Sequence, residues 1–203
     1  MTQNKKIYYW SPHLVNIATP RAVVNSAYSI QKYSTNFKPS IINFFGEFNN
    51  FKEKLNQKKI NLINFYNHKI INFLPKHGFL QSRFSFIVLF ILAFVPLKNL
   101  IKKNKPDFLI IHLITALPLF LLLFFNFETK FILRISGMPK INFIRKFLWK
   151  LVLPKIYCVT CPTKKTYYYI KSLKLVDEKK IKILYDPVIN VGQLVKKKRN
   201  KLY

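Results

Sequence analysis

The sequence predicts an α/β fold, a parallel β-sheet with helices on both faces. Two observations carry the prediction. Short apolar runs rich in β-branched and aromatic residues alternate with longer segments whose apolar residues recur at helical spacing. Junctions between them fall on proline steps, at Ser11-Pro12, Lys105-Pro106-Asp107 and Asp186-Pro187. Strand, helix, strand, repeated in this way, is the order of right-handed crossovers in a parallel sheet. No internal repeat or low-complexity tract interrupts it.

The elements follow in order. KIYYW (6–10) is the first strand. After a loop, Pro20 opens a helix over RAVVNSAYSIQKY. PSIINFF (39–45) and KKINLINFY (58–66) are the next two strands, and 67–83 reads as loop with some helix. RFSFIVLFILAFVPLKNLIKKN (83–104) is a helix, apolar on nearly every side at first, whose terminal lysines suit the helix dipole. FLIIH (108–112) is a strand, 115–125 a core helix, and KFILRI a strand that stops on Ser136-Gly137. Then come helix INFIRKFLWKLV (141–152), strand KIYCVT (155–160), and helix KKTYYYIKSLKL, with Pro162 as its turn and Thr163 as its N-cap. KKIKILY (179–185) is the last strand, and 190–203 is a basic tail.

At 203 residues the chain is one domain by length, large enough for a real core. It carries 35 Lys+Arg against 7 Asp+Glu, a formal charge of +28. Such a balance favours polyanionic surroundings: anionic lipid, nucleic acid or phosphorylated small molecules. Heavy use of Lys, Asn, Ile, Phe and Tyr is equally what A+T-rich codons give, with little bearing on a partner. The opening MTQNKKIYYWSPHL has no apolar core of signal length, and Cys158 and Cys161 fit a reducing compartment, so the reading is cytoplasmic.

Two segments invite a membrane reading. The run at 84–97 is too short for a hydrocarbon core, which takes about 20 residues. The run at 108–127 is long enough but holds His112 and Pro118. A small integral membrane protein with spans near 84–97 and 108–127 is the alternative to the α/β domain.

Few motifs dictate chemistry. CVTC puts Cys158 inside a strand, so the pair reads as packing and no metal is expected. GxGxxG, HExxH and GxSxG are absent. His112 ends a strand, and open α/β sheets bind ligands past the carboxyl ends of strands. The small polar pair Ser136-Gly137 sits at such an end, where a ligand can approach closely. Arg134 reads as a loop anchor or the partner of an acid, and could also face an anion. Asp107 and Asp186 lie at strand boundaries and Glu128, Asp177 and Glu178 in turns, so no general base stands out and catalytic residues are unassigned. The basic tail LVKKKRNKLY reads as a solvated charge run, and nucleic acid is not the expected partner.

KIYYWSPHLVNIATPRAVVNSAYSI, KPDFLIIHLITALP, TKFILRISGMPK, IYCVTCPTKKTYYYI and KIKILYDPVI, in this order, resemble the N-terminal half of GT-B glycosyltransferases, in particular family 4, over nearly all of 1–190. The resemblance implies a Rossmann-like glycosyltransferase N-terminal domain at 1–189 and a linker at 190–203. It implies transfer of a sugar from a nucleotide-sugar donor to a glycan or lipid-linked acceptor, as in cell-surface polysaccharide synthesis, with no further cofactor. By match of position, Thr19 and Arg21 in the first loop, His112, Ser136 and Gly137 would line the acceptor cleft. The first loop, NIATPRA, lacks the glycines common in the family, and Ser136 stands where many members have histidine. The donor domain that follows in the family is missing here. The expectation is therefore half an enzyme, with little activity alone, truncated or completed by a separate donor-domain chain. The resemblance also suggests a peripheral position on an anionic membrane surface. The lysines closing helix 83–104 and those at 145–150 would hold the lipid, with Trp149 at the interface.

Overall fold

A computed structural model describes residues 4–13, 18–66 and 79–187. Its seven strands are β1 Lys5–Trp10, β2 Phe37–Asn43, β3 Asn61–Asn64, β4 Phe108–Ile111, β5 Lys130–Arg134, β6 Cys158–Cys161 and β7 Ile181–Ile183. They form one sheet in the order β3-β2-β1-β4-β5-β6-β7, and every pairing is parallel. The α-helices are α1 Ala18–Tyr33, α2 Lys52–Gln57, α3 Phe79–Asn104, α4 Ala116–Phe124, α5 Phe143–Val152 and α6 Lys164–Ser172. The predicted Rossmann-like α/β fold is the one observed. Of the stretch 67–83, expected as loop with some helix, 67–78 lies outside the described residues and 79–83 opens α3; the basic tail at 190–203 also lies outside them.

β1 shows why the sheet needs cover on both sides. Successive strand residues point to opposite faces. Ile7 and Tyr9 join the cluster made with Val23, Val24 and Ala27 of α1 and Leu55 of α2. Tyr8 and Trp10 join the larger cluster made with α3, α4, α5 and α6. Four successive apolar residues, Ile7 to Trp10, buried on both faces, suit a strand inside such a double-sided sheet.

α3 packs one stripe inward. Leu89, Ala93, Leu97 and Ile101, four residues apart, are all buried. Asn104 Nδ2 at its end donates to Tyr8 Oη at 3.1 Å. The rest of the helix is another matter: Phe84, Ile87, Ile91 and Val95, a second stripe, are exposed.

The strand and core helix expected within 108–127 are β4 and α4, with Leu109, Ile111, Leu117, Leu119 and Leu121 in the core, so the alternative of a span there is not favoured. The unbroken hydrophobicity of this stretch reflects a strand and a helix that are both surrounded by protein. The 84–97 run lies inside the expected helix; over Phe84–Asn104 α3 is long and apolar enough to cross a membrane by length and composition alone. Trp149 does not sit at an interface. It is 4% exposed, turned with Val152 against the sheet. Two boundaries also move: residues 153–155 form a 3-10 turn before β6, and α6 ends at Ser172. Thr163 is the N-cap expected, its Oγ1 accepting from Thr166 N at 3.1 Å.

Candidate functional site at the carboxyl edge

The chain runs outward from β1 to β3 and returns to β4 beside β1. Between β1 and β4 the strand order therefore reverses, which is where open α/β sheets leave a crevice at their carboxyl ends. Next to it, at the carboxyl ends of β4 and β5, opens a cavity of about 660 Å³. His112 to Ala116 after β4, Leu133 to Pro139 around the end of β5, and Phe86, Ile87, Phe90, Arg145 and Trp149 form its walls.

His112, Ser136 and Gly137 are thus brought together. Thr19 and Arg21 are not part of the wall: both lie in the first turn of α1, Thr19 half-buried and Arg21 exposed. Ser136 and Gly137 are exposed. A Cβ added at Gly137 would meet no atom within 4 Å. Its backbone does not occupy the positive-φ region either, unlike Gly46 at φ 83°. Neither crowding nor conformation demands glycine at 137, so its small size is free to serve something outside the fold.

Polar atoms collect at this edge without partners. Ser11 Oγ, His13 Nε2 and both ring nitrogens of His112 are buried and make no hydrogen bond among the described residues. An orphaned buried polar group costs about 1–3 kcal/mol, so several in one neighbourhood need a reason. His112 is placed by its own amide, which donates to Trp10 O at 2.9 Å, and its ring lies 6.1 Å from that of Tyr9. Burial, with the Arg134 charge adding to it, pushes the imidazole down to about 3. At neutral pH the ring is uncharged and offers one donor and one acceptor. His13 is lowered as well, chiefly by burial; its Nδ1 lies 3.1 Å from Ser11 O and its ring stands edge-on to Phe48.

The next strand adds a buried acid. Glu47 accepts from Phe44 N at 3.2 Å and Phe45 N at 2.7 Å, yet burial outweighs these amides and pushes its carboxyl up to about 7. Asn43 beside it joins Asn49, Asn64 and the Phe48 amide. Sequence reasoning missed this group; its only signals were the SPH after β1 and the FFGE after β2.

Arg134 resolves as the partner of an acid. Its Nε and Nη2 bind Asp186 Oδ1 at 3.0 and 2.5 Å, and Nη2 also reaches Leu184 O at 2.7 Å. The neighbouring segment is tied back once more, by Asn25 Nδ2 to Pro187 O at 2.7 Å. Other acids are structural too. Asp107 accepts from Lys6 N, Glu128 pairs with Lys105 and Glu178 with Lys171. No carboxylate lines the cavity among the described residues. Cys161 is buried and its thiol is pushed up to about 11 by burial, which suits packing. No group of residues that could hold a metal appears among the described residues.

The cavity offers a ligand three things. Apolar walls come from α3 and α5. The starts of α4 and α5 border it, and helix starts favour anions. Arg145, whose amide is capped by Asn142 Oδ1 at 2.8 Å, adds a guanidinium.

No family model matches the sequence, and the comparison with curated proteins finds no match either. Solved structures do match in fold. A Rickettsia africae glycosyltransferase is 17% identical with a TM-score of 0.57, covering 98% of this chain and 49% of its own. Anabaena HepE, solved with UDP and glucose, is 11% identical with a TM-score of 0.52, covering 98% and 50%. The Neisseria meningitidis UDP-GlcNAc 2-epimerase bound to UDP-GlcNAc is 14% identical with a TM-score of 0.54, covering 95% and 48%. The chain spans about half the length of these proteins. At such identities the likeness is one of fold, the Rossmann-like half of the GT-B architecture that glycosyltransferases and UDP-GlcNAc 2-epimerases share.

Proposed function

We propose that this domain is the acceptor-binding half of a glycosyltransferase. Sugar passes from a nucleotide-sugar donor to a glycan or lipid-linked acceptor of cell-surface polysaccharide synthesis, and the donor is held mainly by a second domain or a separate chain. The observation that carries this reading is the set of orphaned polar atoms on Ser11, His13 and His112, at the edge where the strand order reverses. Hydroxyl groups of a saccharide can both donate and accept, which is what an uncharged imidazole and a serine hydroxyl lack here. The two UDP-bound neighbours support a nucleotide-sugar as the other substrate. Lack of a carboxylate in the described wall fits a half that binds and orients, because holding two reactants together is what such a cleft contributes.

Gly137→Val tests the reading. Its side chain would enter open space, so the fold should survive while the cavity mouth narrows. Saturation-transfer NMR against a panel of glycans and UDP-sugars should show saccharide contacts in the wild type that the variant loses, with unchanged thermal unfolding. Saccharide contacts that persist unchanged in the variant would move the site elsewhere, and a wild type that touches no saccharide or UDP-sugar would sink the reading.

A further inference from the structure

We infer that the start of α4, the His112 ring and the Arg145 guanidinium form an oxyanion subsite, which takes the phosphate or carboxylate of an acidic acceptor sugar. This rests on the acceptor-binding reading above and narrows it to a charged class of substrate.

α4 begins without a cap. Leu119 N donates to Thr115 O at 3.2 Å, so the amides of Ala116 and Leu117 before it have no acceptor inside the helix, and Pro118 has no N–H at all. The Thr115 side chain makes no capping bond, and no acidic residue stands in the first turn. α5 and α6 differ, since Asn142 and Thr163 cap them from within. The turn that leads into α4 is strained. Ile114, a β-branched residue, sits at φ 45°, and Trp10 Nε1 donates to its carbonyl at 3.2 Å. Such residues rarely enter this region, and strain of this kind persists only where the surroundings impose it.

His112 is the independent pointer to a ligand. It is 5% exposed, it shares the cavity wall with Thr115 and Ala116, and neither ring nitrogen has a partner among the described residues. The uncharged ring holds one N–H, which joins the α4 amides as a donor, and leaves its other nitrogen for a sugar hydroxyl. Arg145 lines the same cavity. Its Nη1 donates to Lys140 O at 2.6 Å, while Nε and Nη2 have no partner among the described residues.

Charge decides the class of ligand. The other cation of the wall, Arg134, is already held by Asp186, and no carboxylate lines the cavity among the described residues. A neutral saccharide needs acceptors for its hydroxyl protons as well as donors, whereas an oxyanion needs donors alone. The helix start adds the positive end of its dipole, and a guanidinium fork matches phosphate and carboxylate oxygens alike. A cavity of about 660 Å³ leaves room for the sugar ring that carries the charge.

The test is proton–nitrogen correlation NMR of the full chain, titrated with glucose, glucuronate and glucose-6-phosphate. Both acidic sugars should move the Ala116 and Leu117 amides and the His112 ring signals, and glucose should bind about tenfold more weakly. Salt should weaken the acidic sugars only. Arg145→Gln, at an exposed position, should lower their affinity about tenfold. Thr115→Asp sets a carboxylate at the start of α4 and should abolish their binding, with a melting curve unchanged or raised. Glucose bound as tightly as the acidic sugars would overturn the subsite and leave the acceptor reading standing. So would variants that bind like the wild type, shifts spread over surface lysines in place of the α4 amides, or UDP displacing the sugars, which would assign the place to the donor. If neither these sugars nor the glycan panel binds, the acceptor reading falls and the subsite falls with it.

Discussion

The two faces of the sheet are built from similar residues and end differently. On one, α1 and α2 turn Val23, Val24, Ala27 and Leu55 inward and show water Arg21, Gln31, Lys32, Lys54 and Gln57. On the other, α3 and α5 turn an apolar stripe inward and a second apolar stripe outward. The first arrangement is what a water-facing helix needs. In the second, the outer stripe contributes nothing to the core.

The contrast can be broken along α3 itself. Leu97→Ala, on the inner stripe, should lower stability by about 2–5 kcal/mol in chemical denaturation, since it leaves a hole under a fully buried residue. Asp186→Ala strikes the opposite face. It leaves the Arg134 guanidinium, 4% exposed, without its carboxylate, and a loss of about 3 kcal/mol is expected. A smaller loss would mean that Leu184 O and Thr160 satisfy the arginine on their own.

Acid sharpens the comparison further, because the buried imidazoles sit at the carboxyl edge and not on the apolar stripes. The His112 pKa is depressed from 6.5 to about 3, so the stability it contributes is complete above pH 6.5 and lost as pH falls towards 3. By pH 5 that loss is about 2 kcal/mol. Glu47 has the opposite sign. Raised from 4.5 to about 7, its contribution is complete below pH 4.5 and lost as pH rises through 7. His112→Asn should therefore flatten the fall in stability between pH 6.5 and 5, and Glu47→Gln the fall between pH 5 and 7. Wild-type slopes in both variants would show that neither group titrates as its burial implies. The smallest effect belongs to Ile91→Ala, the outward counterpart of Leu97→Ala, which should change stability in water by under about 0.5 kcal/mol.

Much of this architecture was legible beforehand. β1 announced itself as aromatic and β-branched, and Thr163 as a cap, because those signals are local. α2 escaped notice because its six residues hold one buried side chain, Leu55. Within α5 the sequence offers two apolar arcs beside Arg145, Lys146 and Lys150, so only the position of the sheet decides that Trp149 goes in and Phe143 stays out. The apolar run at 108–127 was ambiguous for a related reason, since a strand and a helix enclosed by protein carry no periodic polar mark. At the candidate site, His112 and Ser136-Gly137 could be found because they follow strands. The partner of Arg134 could not, since Asp186 lies 52 residues away and only the adjacency of β5, β6 and β7 brings it near.

The place of β1 in the sheet has a consequence for how the chain is made. β1, made before the other six described strands, ends in the middle, held between β2 and β4. Trp10 meets Ile111, about a hundred residues further on. At synthesis rates of about 5–20 residues per second, that partner emerges roughly 5–20 s later. During that interval Tyr8 and Trp10 have no completed sheet around them, and loop closure over such a separation is slow. Slower translation would lengthen that exposure of apolar surface.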